Sequence, residues 1–499
     1  MNAKTVDVNG LLQAANLIVT GLLVFALVAV PVNEYVDQTT VALGLTLCIQ
    51  THIALLLERM RRDPFVILLA FGMIFYFALR IFTLALVPVS LVFGRFGFSA
   101  ADSNYALVFI IIANACMYGG LIAVRFRRDR GIDSREWRAA SPRSVIALML
   151  VTFSLAYFST GYWTVANLPR ALTVLVVLLS PPIVVSMALA YYLLFRASLS
   201  RRAALAIGLM LILEIAAHTL WGSRSAIVGF VQTILLVALA VSGSVKLNRG
   251  YVVLGIVLLP VAGALMVVTY AISTYNRLAR EALGGKTLDV GFAVQSAREA
   301  GPQLFDKGID VVLPPVLARM GFFDFSAEII AHREEYSRAI NLTTYGKSII
   351  DNILTPGFDI FDQPKISNAL RFVYFERGAP SKIAVEEAYH SDQLGIYGEF
   401  YALFGYASLI LFFLVPYCLK RVYVHLRANN PFAFAMKRVV VLLIFQKMID
   451  SFGIDWIIGE MAPFVVAMGL YSVFFSTKRI VASTIESGQS TLPGGLANA

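Results

Sequence analysis

Four groups of ionisable residues have the types and spacings that chemistry needs. His390 stands one helical turn before Leu394, with Glu399 following where an apolar run begins. That arrangement sets an imidazole, the side chain best suited to take a proton near neutral pH, close to a carboxylate. Trp221-Gly222-Ser223-Arg224-Ser225 makes a short turn between apolar runs. A guanidinium fixed on such a turn suits a phosphate or pyrophosphate, because it stays charged and bonds bidentately. Arg277, Arg280 and Arg319 lie in one long polar segment and are further candidates for a polyanion. Arg80, Glu214 and His218 fall inside apolar runs, the last two as an i,i+4 pair, and Asp324 follows Arg319 in the polar segment. Charges in hydrocarbon are costly and face a bundle interior or a wet cavity, so these four are expected to line a polar chamber. The plainer readings stay open: Arg80 snorkels to the interface, Arg224 anchors it beside Trp221, the loop arginines are solvated, and His390 is simply exposed.

The elements that must position these residues are set by composition. Apolar residues make up 58% of the 499 and charged residues 14%, with a mean hydropathy of +0.75. No water-soluble core of this size hides so much apolar surface, and apolar runs near ~20 residues mark helices that cross a bilayer. Alternating ten-residue strands are absent, which argues against a barrel. The fold class is therefore all-α and polytopic. About twelve spans are expected, near 11–30, 39–57, 64–88, 104–124, 144–161, 168–194, 203–220, 225–243, 251–272, 398–420, 433–450 and 456–474.

The net charge of +10 does not signal nucleic acid, since most Lys and Arg sit in alternate short loops such as 59–62, 125–143, 196–202, 246–249 and 420–438. By the positive-inside rule those loops and both termini are cytoplasmic, and the long polar segment lies outside. The expected organisation is a membrane bundle over 1–272, a large periplasmic loop over 273–397 covering a site, further spans over 398–476, and a disordered cytoplasmic tail over 477–499. Within the loop, 316–340 interleaves apolar and charged residues as a helix lying in the membrane interface would. Cys48, Cys116 and Cys418 fall in or at the ends of apolar runs and are read as packing residues. A Gly-rich phosphate loop and Cys/His metal spacing are both absent, and Asp359 and Asp362 are spaced Asp-x-x-Asp, so no cofactor or metal is expected.

Gly222-Ser223-Arg224-Ser225-Ala226 opens a span, one large outer loop comes late in the chain, and His390-Ser391-x-x-Leu394 leads into Gly398-Glu399-Phe400-Tyr401-x-x-Phe404-Gly405-Tyr406. In these features the chain resembles the Wzy-type O-antigen and oligosaccharide repeat-unit polymerases, and more distantly the O-antigen ligases. The likeness covers roughly the second half of the chain. It implies a glycosyltransferase of lipopolysaccharide biosynthesis in the bacterial inner membrane, which moves a growing glycan from undecaprenyl pyrophosphate onto the next lipid-linked repeat unit. Implied partners are undecaprenyl-pyrophosphate-linked glycans, membrane lipids and a chain-length regulator. In that reading Arg224, with Arg277, Arg280 or Arg319, holds the diphosphate, and His390, with Glu399 second, activates the acceptor hydroxyl for a metal-independent, inverting transfer. A ligase-like transferase and a flippase or transporter of lipid-linked oligosaccharides remain the alternatives.

Overall fold

The computed structural model describes residues 5–57, 63–87, 97–125, 137–139, 246–248, 321–339, 341–354, 395–426, 431–450 and 476–478, with isolated positions at 60, 150, 209, 236, 239–240, 295, 298, 360–361, 366 and 457. Five helical stretches among them are long and apolar enough to cross a membrane: Val8–Ala29, Gln38–Leu56, Pro64–Leu86, Ala100–Ala123 and Gly395–His425. This is the build of a helical membrane protein. The stretches match the first four expected spans and the tenth, and a further helix, Pro431–Asp450, falls on the eleventh. The expected spans between 144 and 272 and over 456–474 lie almost wholly outside the described residues.

Local sequence explains where these helices begin. Helix α1 is Val8–Ala29, following a short strand β1 at Thr5–Asp7. Helix α2, Gln38–Leu56, opens on a capping box in which Asp37 accepts from the Thr40 amide while Thr40 Oγ1 accepts from the Asp37 amide. Helix α3, Pro64–Gly72, has Pro64 in its first turn, where the missing N–H costs nothing, and Asp63 accepts from the Phe65 amide. It runs into a π-helical turn, Met73–Ala78, and then α4, Leu79–Leu86. Ser99 and Asp102 cap α5, Ala100–Ala123, reciprocally.

The span expected over 398–420 is a broken one. Helix α9, Gly395–Phe404, stops at Gly405, a 3-10 turn covers Gly405–Ala407, and α10 then runs from Ser408 to His425. Lys420 is therefore inside a helix and buried, not in a basic loop, and so is Arg438 within α11, Pro431–Asp450.

The bundle is held by polar contacts at three levels. At one end, Asn9 and Gln13 of α1 bond to Leu55 O of α2, and Lys420 pairs with Asp63 while donating to Leu121 O. In the middle, Asn16 donates to Cys48 O, Gln50 to Ile111 O, and Asn114 to the Gln50 amide oxygen. At the other end, Asn33 donates to Leu84 O, Ser103 to Tyr35 O, and Asn104 to Asp37. Side-chain amides that find carbonyls on neighbouring helices hold apolar helices together where lipid gives no hydrophobic drive to associate. Helices α5 and α10 pack backbone to backbone at Gly120, where a Cβ would stand 2.2 Å from Phe413 O. Of the three cysteines, all free, Cys48 is buried but Cys418 is exposed, so the latter is not a packing residue.

The long polar segment contributes α6, Phe322–Ala331, then α7, Arg333–Ala339, and α8, Leu342–Leu354. Helix α6 corrects the expectation of an interfacial helix over 316–340: its apolar Phe323 and Ile329 are buried, and so are Asp324, Ser326 and Glu328. Alternation of apolar and charged residues looks the same in sequence whether the polar face meets water or meets partners inside the protein. Here it meets partners. Strands β2, Trp137–Ala139, β3, Lys246–Asn248, and β4, Ser476–Lys478, complete the described elements. They form two antiparallel pairs, β1 with β3 in register Thr5 to Asn248 and β2 with β4 in register Trp137 to Lys478.

Candidate functional site

Arg80 is a fully buried charge of the candidate set, and the π-helical turn before it explains why it points inward. The Leu79 amide bonds five residues back, to Ile74 O. A π turn inserts about one extra residue, so everything after it is rotated by roughly 100° against a continuous α-helix. Arg80 then meets α6 instead of lipid. Its Nε donates to Asp324 Oδ1 at 3.0 Å and its Nη2 to Oδ2 at 2.6 Å, a bidentate pair with both side chains fully buried. Its Nη1 lies 3.4 Å from Thr83 Oγ1, and that hydroxyl donates to Arg80 O at 2.9 Å.

The structure thus brings Arg80 and Asp324 together, and it also changes what they do. Arg80 does not snorkel, since both side chains are fully buried. They close on each other and fasten a helix of the polar segment to the third span. Tyr35 stands within electrostatic reach: burial first, then the carboxylates Glu34 and Asp324, raise its phenol above the ordinary value. Its ring packs on Phe98 at 5.2 Å, and Phe98 in turn on Phe323 at 6.4 Å.

From Asp324 the same face of α6 continues at i,i+4 spacing through Glu328 to His332, the residue that ends the helix. Glu328 is fully buried, and the His332 ring lies with Nε2 3.1 Å from Gly97 O. Helix α6 packs along α9, with Ile329 against Gly398, and α9 carries Glu399. That carboxylate is buried and accepts a hydrogen bond from the Tyr345 hydroxyl of α8. Three helices of the polar segment and its following span therefore place Asp324, Glu328 and Glu399 inside the protein, each carboxylate built into a packed interior. Burying an anion is tolerated only with partners, so such groups are retained for what they hold or do.

Sequence reasoning singled out Arg80, Asp324 and Glu399 in this region and missed Glu328 and Tyr345. Glu328 had a legible signal, since it lies one turn from Asp324 on one helix face. Tyr345 had none, because its partner is on another helix. His390, Arg224, Arg277, Arg280, Arg319, Glu214 and His218 lie outside the described residues. Among the described residues, no three His, Cys, Asp or Glu side chains gather closely enough to hold a metal ion.

At the opposite end of the bundle a second buried pair does a different job. Asp63 both caps α3 and pairs with Lys420 of α10, whose ammonium also bonds to the last turn of α5. Next to it Arg438 lies 4.5 Å over the Tyr423 ring. The Lys420 pair ties three helix ends together. Comparison with family models, curated proteins and solved structures gives no match to this chain.

Proposed function

We propose that this protein is a membrane glycosyltransferase that lengthens a glycan carried on a prenyl diphosphate, using the layer where α6 and α9 meet. The observation that carries the reading is α6 itself. A helix from a long polar segment is buried among apolar spans, fastened by the Arg80 and Asp324 pair, and set against the helix bearing Glu399. A segment fixed at that cost is part of a working site and not a linker.

In the proposed reaction the acceptor sugar hydroxyl gives its proton to a base, His390 first and Glu399 second. A new C–O bond forms at the anomeric carbon as the bond to the diphosphate oxygen breaks. Arg224, with Arg277, Arg280 or Arg319, neutralises the charge on the leaving lipid diphosphate, and a single displacement inverts the anomeric centre. The polymerase form of this activity, at the periplasmic face of a bacterial inner membrane, is the reading favoured by the motifs around Arg224 and His390.

Purified protein incubated with a defined undecaprenyl-pyrophosphate-linked repeat unit and a chelator is expected to give a ladder of longer products. Arg224→Ala and His390→Ala are each expected to abolish it while the protein still inserts. A single transfer to a lipid A core would indicate a ligase, and movement of the lipid between leaflets without any new bond a flippase. Either result would replace the polymerase reading.

A further inference from the structure

Where α7 packs against α9, a guanidinium is held in place by its Nε. Arg333 Nε donates to Tyr401 O at 3.1 Å, and the guanidinium carbon lies 5.8 Å from the centre of the Tyr401 ring. The group rests on Gly405, whose φ is +55°, and a Cβ there would come within 3.1 Å of Cζ and Nη2. Only glycine gives both the left-handed turn and the room for the guanidinium. With Nε committed, both terminal nitrogens of Arg333 have no acceptor among the described residues. Of the acids on the same helix, Glu334 and Glu335 are exposed, and Glu334 sits 3.7 Å from Arg338.

Beside this cation stand three tyrosine hydroxyls. Tyr105 Oη is 2.6 Å from Tyr401 Oη and 2.5 Å from Tyr406 Oη. Each hydroxyl carries one proton and two lone pairs, so the trio offers a close cluster of phenol groups at one spot. A fixed guanidinium beside clustered phenol hydroxyls suits the oxygens of a phosphate.

The surroundings say which kind of phosphate. Tyr105 is 42% exposed, and Val108 and Ile112 continue its face down α5; Tyr406 is 56% exposed, and Ile410 and Phe413 continue its face down α10. The two stripes begin at touching hydroxyls and flank the seam of α5 and α10, and their side chains are exposed. A water-soluble phosphate would make no use of them. A hydrocarbon tail would.

We infer that the outer seam of α5 and α10 is a binding site for a lipid phosphate, with the phosphate on Arg333 and the tyrosine trio and the tail along the two apolar stripes. The assignment stands apart from the glycan reading, since it needs only an amphiphile with a phosphate head. The test is native mass spectrometry of the full chain in detergent, titrated with dioleoyl phosphatidic acid, with dioleoylglycerol as the neutral lipid and inorganic phosphate as the free anion. Phosphatidic acid is expected to be retained over both, and Arg333→Gln to weaken its retention about tenfold, the loss of a charge-assisted pair of bonds. Unchanged retention by a folded Arg333→Gln protein, or inorganic phosphate binding as tightly as the lipid, overturns the assignment. A photoactivatable phosphatidic acid applied to the unmodified protein covers the case in which that variant does not fold. It is expected to label peptides spanning 105–112 or 405–414, and labelling confined to α1 or α2 also overturns the assignment.

Discussion

Removing one side of the Arg80 and Asp324 pair tests whether α6 is latched into the bundle. The two nitrogen-to-oxygen bonds are 3.0 and 2.6 Å with no exposure on either side chain, so water reaches neither charge. For charges ~4 Å apart at an effective dielectric near 20, the attraction is about 4 kcal/mol. Deleting one partner of such a pair costs about 3–5 kcal/mol, because an uncompensated charge stays behind, whereas replacing both by apolar residues of similar volume is often neutral. Asp324→Leu alone is therefore expected to release α6, and Arg80→Met with Asp324→Leu to keep it docked. The assay places a reporter cysteine at Ser326, a fully buried residue of α6, in a chain whose Cys48, Cys116 and Cys418 are replaced. A membrane-impermeant maleimide added to proteoliposomes is expected to label the single variant many times faster than the parent and the double variant. Equal protection in the single and the double variant would sink the latch, because the charge left behind would then carry no penalty.

Three further outcomes follow from the geometry. Burial by itself would raise the Asp37 carboxyl, but hydrogen bonds from the Thr40 amide and hydroxyl and from Asn104 hold it below its ordinary value. A depressed folded value contributes stability that is fully present above the unfolded value of ~3.9 and is lost as pH falls through the folded one. Asp37→Ala is expected to cost about 1 kcal/mol at neutral pH, and its Tm deficit should shrink toward pH 3; a constant deficit would contradict the assignment. Gly120→Ala puts a Cβ within 2.2 Å of a backbone oxygen that cannot turn aside, so α5 and α10 must part at a cost of about 1–3 kcal/mol or more. Thermal unfolding in detergent measures it, and an unchanged Tm would mean that the helices are not in contact there. Tyr345→Phe leaves the buried Glu399 without that donor, at a cost of about 1–3 kcal/mol. In the proposed reaction the same change is expected to lower the yield of long product, and full product length would separate Glu399 from the chemistry.

Much of the membrane architecture is legible in the chain order because it depends on near neighbours. Runs of apolar residues, Asp37 before Thr40, Ser99 before Asp102, and Asp63 before Pro64 fix spans and their starts by contacts within a few residues. Arg80 stood out as a charge inside an apolar run, Asp324 as an acid shortly after Arg319 in the polar segment, and Glu399 as the carboxylate that follows His390. What those charges face is another matter. Arg80 and Asp324 are 244 residues apart, and nothing between them in the chain announces that they meet. The π-helical turn at Met73–Ala78 turns Arg80 toward the interior, yet its residues, Met-Ile-Phe-Tyr-Phe-Ala, are those of any apolar helix. The burial of α6 is likewise invisible from its own residues, since its pattern fits a water-facing helix equally well. By itself the sequence determined a helical membrane protein with a few misplaced charges, because the cost of placing charge or backbone in hydrocarbon is paid residue by residue. Only the tertiary structure decided which charges pair, since a buried ion is made tolerable by a partner that the chain brings from far away.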